Sequence, residues 1–564
     1  MPRVTSHPVS SEKMEELDPV TRCCLPSLFP IPALVVMLTA FAVIAPFFFF
    51  HGTPSGHDFE FHMYSWMEVL GQWKQGILYP RWASLAHWGY GEARFLFYPP
   101  ASWMLGAAIG ALLPWRFVPN AFIWLALCLS GCSMFLLARR CFRRSDAVFA
   151  AALYTANPYY LVIVYWRSAY AELLAGALLP LLLLLVLQIP ENGRKVLVPL
   201  SLVVAAAWLT NAPSAVMLNY SLALLVAVLA IRTKSPRILR CGLAAVLLGA
   251  ALACFYLVPA AYEQRWVNLA EVFSPGVRPR DNFLFTTLSD PDHNQFNLLV
   301  SVVAVMEMIA LAGVVWLSRK RERLKGEIWW ASVAWTGAAA LLLFRFTFIF
   351  WEYLPKLKFV QLPWRWLLCL NAVLVLFTIA GARRWFNRVA VCLAMLFVLA
   401  SVWHRVLPPW WDEAPDIQEM QDAMASGQGY EGTDEYVPAG DDPYELNKDA
   451  AQVTAEAGGG AQIRIESWLA QEKRFRVGVD RPTTLVLRLF DYPAWQVQVN
   501  GAPVPAGKTP VTGQMTIALN AGVNEVQVLF SRTWDRTLGA LLSLLAVLLV
   551  ICYLVMNRTG ALST

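Results

Sequence analysis

Apolar runs long enough to cross a bilayer recur along the chain, and one long polar stretch near the C-terminus interrupts them. A spanning helix needs about 20 predominantly apolar residues. Such runs lie at 31–50, 119–138, 147–165, 173–188, 196–209, 215–231, 241–260, 297–317, 328–346, 366–382, 389–406 and 538–555, twelve in all, so both termini are expected on one side. The run 101–113 is apolar but short. A full crossing there would carry the arginines at 139–144 to the opposite side, so an interfacial or re-entrant helix is expected. The residues before 31 lack the basic n-region and small-residue cleavage site of a signal peptide, so 31–50 is expected to stay as an anchor.

The stretch 407–536 differs in kind. It opens on an acidic lead-in that includes Asp412, Glu413, Asp416, Glu419, Asp422, Asp434 and Glu435. Polar and apolar residues then alternate at 462–468, 474–479, 484–490, 495–499, 515–519 and 525–530, with turn chemistry at Asn500-Gly501 and Ala521-Gly522. The pattern predicts a polytopic α-helical membrane protein of about twelve spans with a C-terminal extracytoplasmic all-β sandwich before the last helix. Its expected parts are a cytoplasmic tail 1–30, a helical domain 31–406 with an outer loop 51–118, an outer domain 407–536 with its sandwich at 460–532, a last helix 537–556 and a cytoplasmic tail 557–564. Trp495 is expected in the sandwich core.

Composition agrees with this class: 57% of the 564 residues are hydrophobic and 15% charged, against about a quarter charged in soluble chains. The net charge of +6 matters less than its placement. Basic groups fall at Arg139–Arg144, Arg194-Lys195, 232–240, 319–325 and 383–388, in every second connector. By the positive-inside tendency those connectors are cytoplasmic and 407–536 is outside. Basic groups separated by apolar 20-mers do not build a nucleic-acid surface. None of the ten cysteines falls in 407–536, so that domain is expected to fold without disulfides.

Ionisable groups near hydrocarbon are costly, which directs attention to polar clusters at one membrane face. Four outer segments stand out. In Gly56-His57-Asp58-Phe59-Glu60-Phe61-His62, Asp58 and His62 share a face if the stretch is helical. The functional reading is a carboxylate base beside an imidazole; the plainer reading is an acid capping a helix that starts near Phe59. A zinc site from His57 and His62 lacks a third ligand. Arg167 and Glu172 end a span, and an i, i+5 pair on a helix does not face itself, so each is expected to have its own partner. The basic segment from Lys356 to Arg365, which includes Gln361, suits a phosphate or anionic head group. Tyr262 and Glu263 open a polar loop that would form a substrate lip.

Asp58 soon after the first helix, Gly89-Tyr90-Gly91 with Phe97-Tyr98-Pro99-Pro100, and the stretches 136–144 and 167–172 resemble the N-terminal half of GT-C class glycosyltransferases. More closely, the chain resembles bacterial multi-pass membrane proteins of the 6-pyruvoyl-tetrahydropterin synthase-related family, through Gln361-Leu362-Pro363-Trp364-Arg365, Glu435-Tyr436-Val437-Pro438 and Tyr492-Pro493-Ala494-Trp495. The resemblance covers most of 31–556. It implies a plasma-membrane transferase that moves a sugar from a polyprenyl-phosphate donor to a glycan or other extracytoplasmic acceptor. It implies Asp58 as base, Glu172 as second acid and Arg365 as ligand of the lipid phosphate. His57, His62, Arg167, Tyr262, Glu263 and Gln361 then join the substrate-binding set. The resemblance admits a divalent cation, but this chain has His57-Asp58 instead of paired acids and lacks an acidic DxD in the second outer loop. No soluble zinc site supports pterin chemistry. The rival readings are a lipid or glycan flippase, which would place ionisable groups at mid-membrane on broken helices, and a non-catalytic envelope-assembly protein on the same scaffold.

Overall fold

The computed structural model describes residues 30–319, 324, 326–382, 384–405, 411–456 and 461–558. The tail 1–29 with Cys23 and Cys24, most of the basic group 319–325, Arg383 and the end 559–564 lie outside the described residues. Among the described residues eight helices are long and apolar enough to cross a membrane, or ten if two sharply bent pairs each count as one span.

The difference from the expected twelve arises at four places. The runs 173–188 and 196–209 belong to one 41-residue segment, Tyr170–Thr210, that turns at Asn192 (φ −139°, ψ 38°). The run 241–260 is Pro236–Leu252 followed by Cys254–Trp266, bent by 75°. The run 328–346 is Glu327–Leu341 followed by Arg345–Tyr353, bent by 96°. Trp385–Ser401 is apolar but shorter than a full span. The first bend is held by the last helix, Trp534–Arg558: Ser543 Oγ receives the Phe255 amide at 2.8 Å and donates to Ala251 O at 3.2 Å. A hydroxyl from a neighbouring helix thus supplies the hydrogen bonding that a broken helix loses in lipid. Gly539 lets that approach happen, because a Cβ there would run into the Cys254 carbonyl.

Pro100–Gly110 is an eleven-residue helix, about 16 Å long and so roughly half the hydrocarbon thickness. Before it, the helix Phe59–Lys74 lies against it and carries the loop acid Asp58 at its N-terminus.

The C-terminal β part consists of a four-stranded and a five-stranded sheet. In the larger sheet Gly522–Phe530 is central, antiparallel to Glu472–Val479 on one side and Trp495–Val499 on the other. The smaller sheet is built on Thr483–Phe490 paired with Gln514–Leu519. Phe475, Val477, Leu485, Leu487, Ile517 and Val526 are fully buried in one core, as strand alternation requires. Asn500 and Gly501 both have positive φ (53° and 77°) and turn the chain between Trp495–Val499 and Ala502–Val504. Trp495 is buried against Phe530 (ring centroids 4.9 Å apart) and Trp82 (5.7 Å).

The β part does not stand apart from the helices. Gly52–Pro54 pairs antiparallel with Trp411–Glu413. Glu68 accepts from Tyr430 Oη at 2.6 Å, Ser84 Oγ at 2.9 Å and the Leu85 amide at 3.1 Å. Glu92 binds Arg94 Nε at 2.5 Å and the Thr433 amide at 2.7 Å. Each carboxylate is buried and satisfied, so the segment 428–436 is pinned on the loop 83–98 beside the candidate site.

Candidate functional site

Three stretches meet at one polar end of the helices: the loop before Phe59, the turn at Arg167-Ser168, and the segment 360–366. Gly56 allows the first two to touch. Its amide donates to Ser168 Oγ at 2.9 Å, the Asp58 amide donates to Arg167 O at 3.0 Å, and a Cβ on Gly56 would strike the Trp166 carbonyl. Ser168 closes the clasp by donating to Pro54 O at 2.9 Å.

Asp58 occupies the N-cap position of Phe59–Lys74, but its side chain makes no capping hydrogen bond. The carboxylate is turned away from the helix amides. Oδ1 lies 2.7 Å from His57 Nδ1, and Oδ2 faces Arg167 Nη2 at 3.9 Å. Burial opposes its ionisation, yet the hydrogen bond and charge of His57, with the charge of Arg167, hold the carboxyl well below its usual range. In return the Asp58 hydrogen bond and charge raise the His57 imidazole above its usual value. His62, one turn on, is buried; desolvation pushes its imidazole down to about 4, so it is neutral. Its ring stacks on Tyr170 (5.1 Å) and meets the edge of Tyr98 (6.0 Å).

Arg167 and Glu172 are directly paired, at 2.5 Å between Nη1 and Oε2, contrary to the expectation of separate partners. The chain is not one helix there. A π-turn, Ile163–Arg167, ends at Ser168 in the left-handed region (φ 50°), and a new helix starts at Tyr170. That reversal folds residue 167 back over residue 172. Arg365 Nε approaches the same Oε2 at 3.0 Å, and Tyr159 Oη donates to Oε1 at 2.6 Å. Glu172 is 1% exposed. Arg365 Nη1 also donates to Val360 O (2.7 Å) and Gln361 Oε1 (3.2 Å), and Gln361 anchors itself on Val272 O (2.9 Å). The Trp364 ring supports the Arg167 guanidinium at 4.7 Å.

His57, Asp58, His62, Arg167, Glu172, Gln361 and Arg365 therefore form one constellation. Two guanidiniums share Glu172, and their remaining N–H groups make the site receptive to an anion. Tyr262 and Glu263 belong elsewhere. Glu263 is fully buried and accepts from Arg536 Nε (2.7 Å), Arg536 Nη2 (2.8 Å) and Tyr492 Oη (2.7 Å), tying Cys254–Glu263 to the β part and the last helix. Tyr262 packs edge-on against Trp534 (4.6 Å). Lys356 and Lys358 lie over the rings of Phe359 and Phe273.

A divalent cation does not suit these carboxylates. Asp58 is engaged by His57 and Arg167, and Glu172 by two arginines and a tyrosine, while no group of three metal-ligand side chains occurs among the described residues.

Sequence reasoning passed over Tyr159, Trp364 and Tyr98. Trp364 stands inside a segment that carries the family resemblance and Tyr98 inside one that carries the GT-C resemblance, which was a usable signal. Tyr159 sits in an apolar run, and nothing local marks it.

No curated protein matches this chain. Among solved structures it is similar to ArnT from Cupriavidus metallidurans bound to undecaprenyl phosphate, with 12% identity and a TM-score of 0.41 over 66% of this chain and 63% of that one. It is also similar to the arabinofuranosyltransferase AftD from Mycobacteria, with 18% identity and a TM-score of 0.38 over 68% of this chain and 28% of that one. The chain thus spans less than two thirds of the length of either protein. A family model described as 6-pyruvoyl-tetrahydropterin synthase related domain, membrane protein, matches residues 95–409, a stretch that holds Arg167, Glu172, Gln361 and Arg365 but begins after Asp58. Since that stretch is more than half of the 564 residues, the chain belongs to the 6-pyruvoyl-tetrahydropterin synthase-related family of membrane proteins.

Proposed function

We propose that this protein is an integral membrane glycosyltransferase that takes a sugar from a polyprenyl-phosphate donor and places it on an extracytoplasmic acceptor hydroxyl. The observation that carries the reading is the pair of buried arginines, Arg167 and Arg365, converging on Glu172 beside the His57–Asp58 pair. A phosphate released from the anomeric carbon gains charge, and guanidinium N–H groups fixed in advance stabilise that charge without reorganisation. Glu172 is the acid that aims both guanidiniums. The acceptor hydroxyl loses its proton at the His57–Asp58 pair as its oxygen attacks the anomeric carbon. Outside the cytoplasm nucleotide sugars are absent, so a lipid carrier is the natural donor. The site then faces out from the plasma membrane, with the β part alongside to cover it or hold the acceptor.

The test is transfer from polyprenyl-phosphate sugars by the full chain in proteoliposomes. Arg365→Gln is expected to reduce kcat by about a hundredfold or more, the usual cost of a lost charge-stabilising donor. Activity within threefold of wild type would remove Arg365 from the site. Gly56→Ala is expected to reduce transfer by a similar hundredfold, because a displacement of about 1 Å is enough to misplace a reacting group. Unchanged transfer by Gly56→Ala would mean that the clasp to Ser168 does not position Asp58.

One observation favours the flippase reading. Glu307, buried within Pro291–Arg319, lies 3.0 and 2.9 Å from Asn371 Nδ2 through its two oxygens, in a molecule with two sharply bent helix pairs. Donor translocation without transfer in the same proteoliposomes would select it.

A further inference from the structure

His57 and Asp58 differ in how they meet solvent. The His57 side chain is 81% exposed and that of Asp58 29%. Asp58 Oδ1 is occupied by His57 Nδ1 at 2.7 Å, and Oδ2 looks at the Arg167 guanidinium. His57 Nε2 makes no hydrogen bond among the described residues and opens outward. The arrangement has the form of a carboxylate that fixes one ring nitrogen as the donor and leaves the other as a basic lone pair.

We infer that His57, through Nε2, is the group that accepts the acceptor's proton, and that Asp58 positions it. This inference rests on the glycosyl-transfer reading of the site. The charged groups facing the pair agree with it. Arg167 faces Asp58 Oδ2, away from the oxygen that His57 holds, and with His57 it keeps Asp58 ionised, which makes its carboxylate a feeble base. The same carboxylate, through its hydrogen bond and charge, raises His57 against the two arginines and makes the ring a stronger base than Asp58 itself.

The step balances. As the acceptor oxygen forms its bond to the anomeric carbon, its proton passes to Nε2. The bond from that carbon to the lipid phosphate oxygen breaks, and the electron pair leaves on the phosphate, opposite Arg365 and Arg167. The imidazolium is stabilised by Asp58 until it loses the proton to solvent, which its exposure permits.

The test uses the full chain in proteoliposomes with a polyprenyl-phosphate sugar that the wild type accepts. His57→Ala is expected to reduce kcat by about a hundredfold or more with little change in donor KM, and added imidazole is expected to restore part of the loss. His57→Asn keeps an N–H toward Asp58 but has no basic nitrogen, so it should be as inactive as His57→Ala. In the wild type, kcat/KM should fall with acid through an ionisation above the ordinary histidine value, since the neutral ring is the active form. In the residual activity of Asp58→Asn that limb should move to lower pH, because the raising charge is gone. His57→Asn activity within threefold of wild type, or loss in His57→Ala without imidazole rescue and with an unmoved acid limb, would overturn the inference. Absence of transfer from every polyprenyl-phosphate sugar by the wild type itself would be a failure of the glycosyl-transfer reading and not of His57 alone.

Discussion

Asp58→Asn is expected to lower sugar transfer by about two to four orders of magnitude, the range for removing a base or the group that orients it. The substitution preserves shape and leaves the protein folded, because the carboxylate contributes no cap to Phe59–Lys74. Its loss removes the charge opposite Arg167 and leaves His57 Nδ1 only a neutral amide partner. Quantitative membrane extraction with a transfer assay checks this. Normal protein levels with transfer lost is the expected outcome. Near-wild-type transfer would end the functional claim for Asp58, and a fall in protein level would return it to a role in holding the local backbone.

The second large effect is on stability. Glu172→Ala leaves Arg167 and Arg365 buried without their shared counter-ion and strands the Tyr159 hydroxyl. Breaking a buried ion pair from one side costs about 3–5 kcal/mol, a large part of the stability of most folds. A strongly lowered unfolding midpoint in detergent is expected, together with lost transfer. Glu172→Gln keeps two oxygen and nitrogen positions but not the charge, and should fall between. An unchanged midpoint in Glu172→Ala would contradict the pairing itself.

The membrane class was legible because it depends on local composition: apolar runs of bilayer length and period-two strands declare themselves within windows of ten to twenty residues. Asn500-Gly501 likewise marks its turn through a local demand for positive φ. The number of spans was less legible. The bend at Ala253 is sustained by Ser543, almost 300 residues away, and no window around 253 contains that information.

For the site, the sequence singled out the segments 57–62, 167–172 and 361–365, which the fold brings together, because charges beside apolar runs are conspicuous. It misjudged Arg167 and Glu172 by assuming helical continuity, which one left-handed residue, Ser168, removes. It misplaced Glu263 for the opposite reason. A glutamate at the edge of a polar loop looks solvent-facing until Tyr492 and Arg536 arrive from the β part and the last helix to bury it. Long-range partners decide whether a charge binds substrate or holds two elements together.

The central claim is that the site around Asp58, Glu172 and Arg365 transfers a sugar from a lipid phosphate. The most direct measurement reconstitutes the purified full chain with radiolabelled polyprenyl-phosphate hexoses and pentoses, supplies a membrane glycan extract as acceptor, and follows where the label goes. The account predicts that label leaves at least one donor for the acceptor fraction, and that Asp58→Asn and Arg365→Gln abolish this at equal protein level. Label that stays on the lipid for every donor, or transfer that both variants support at the wild-type rate, would contradict it.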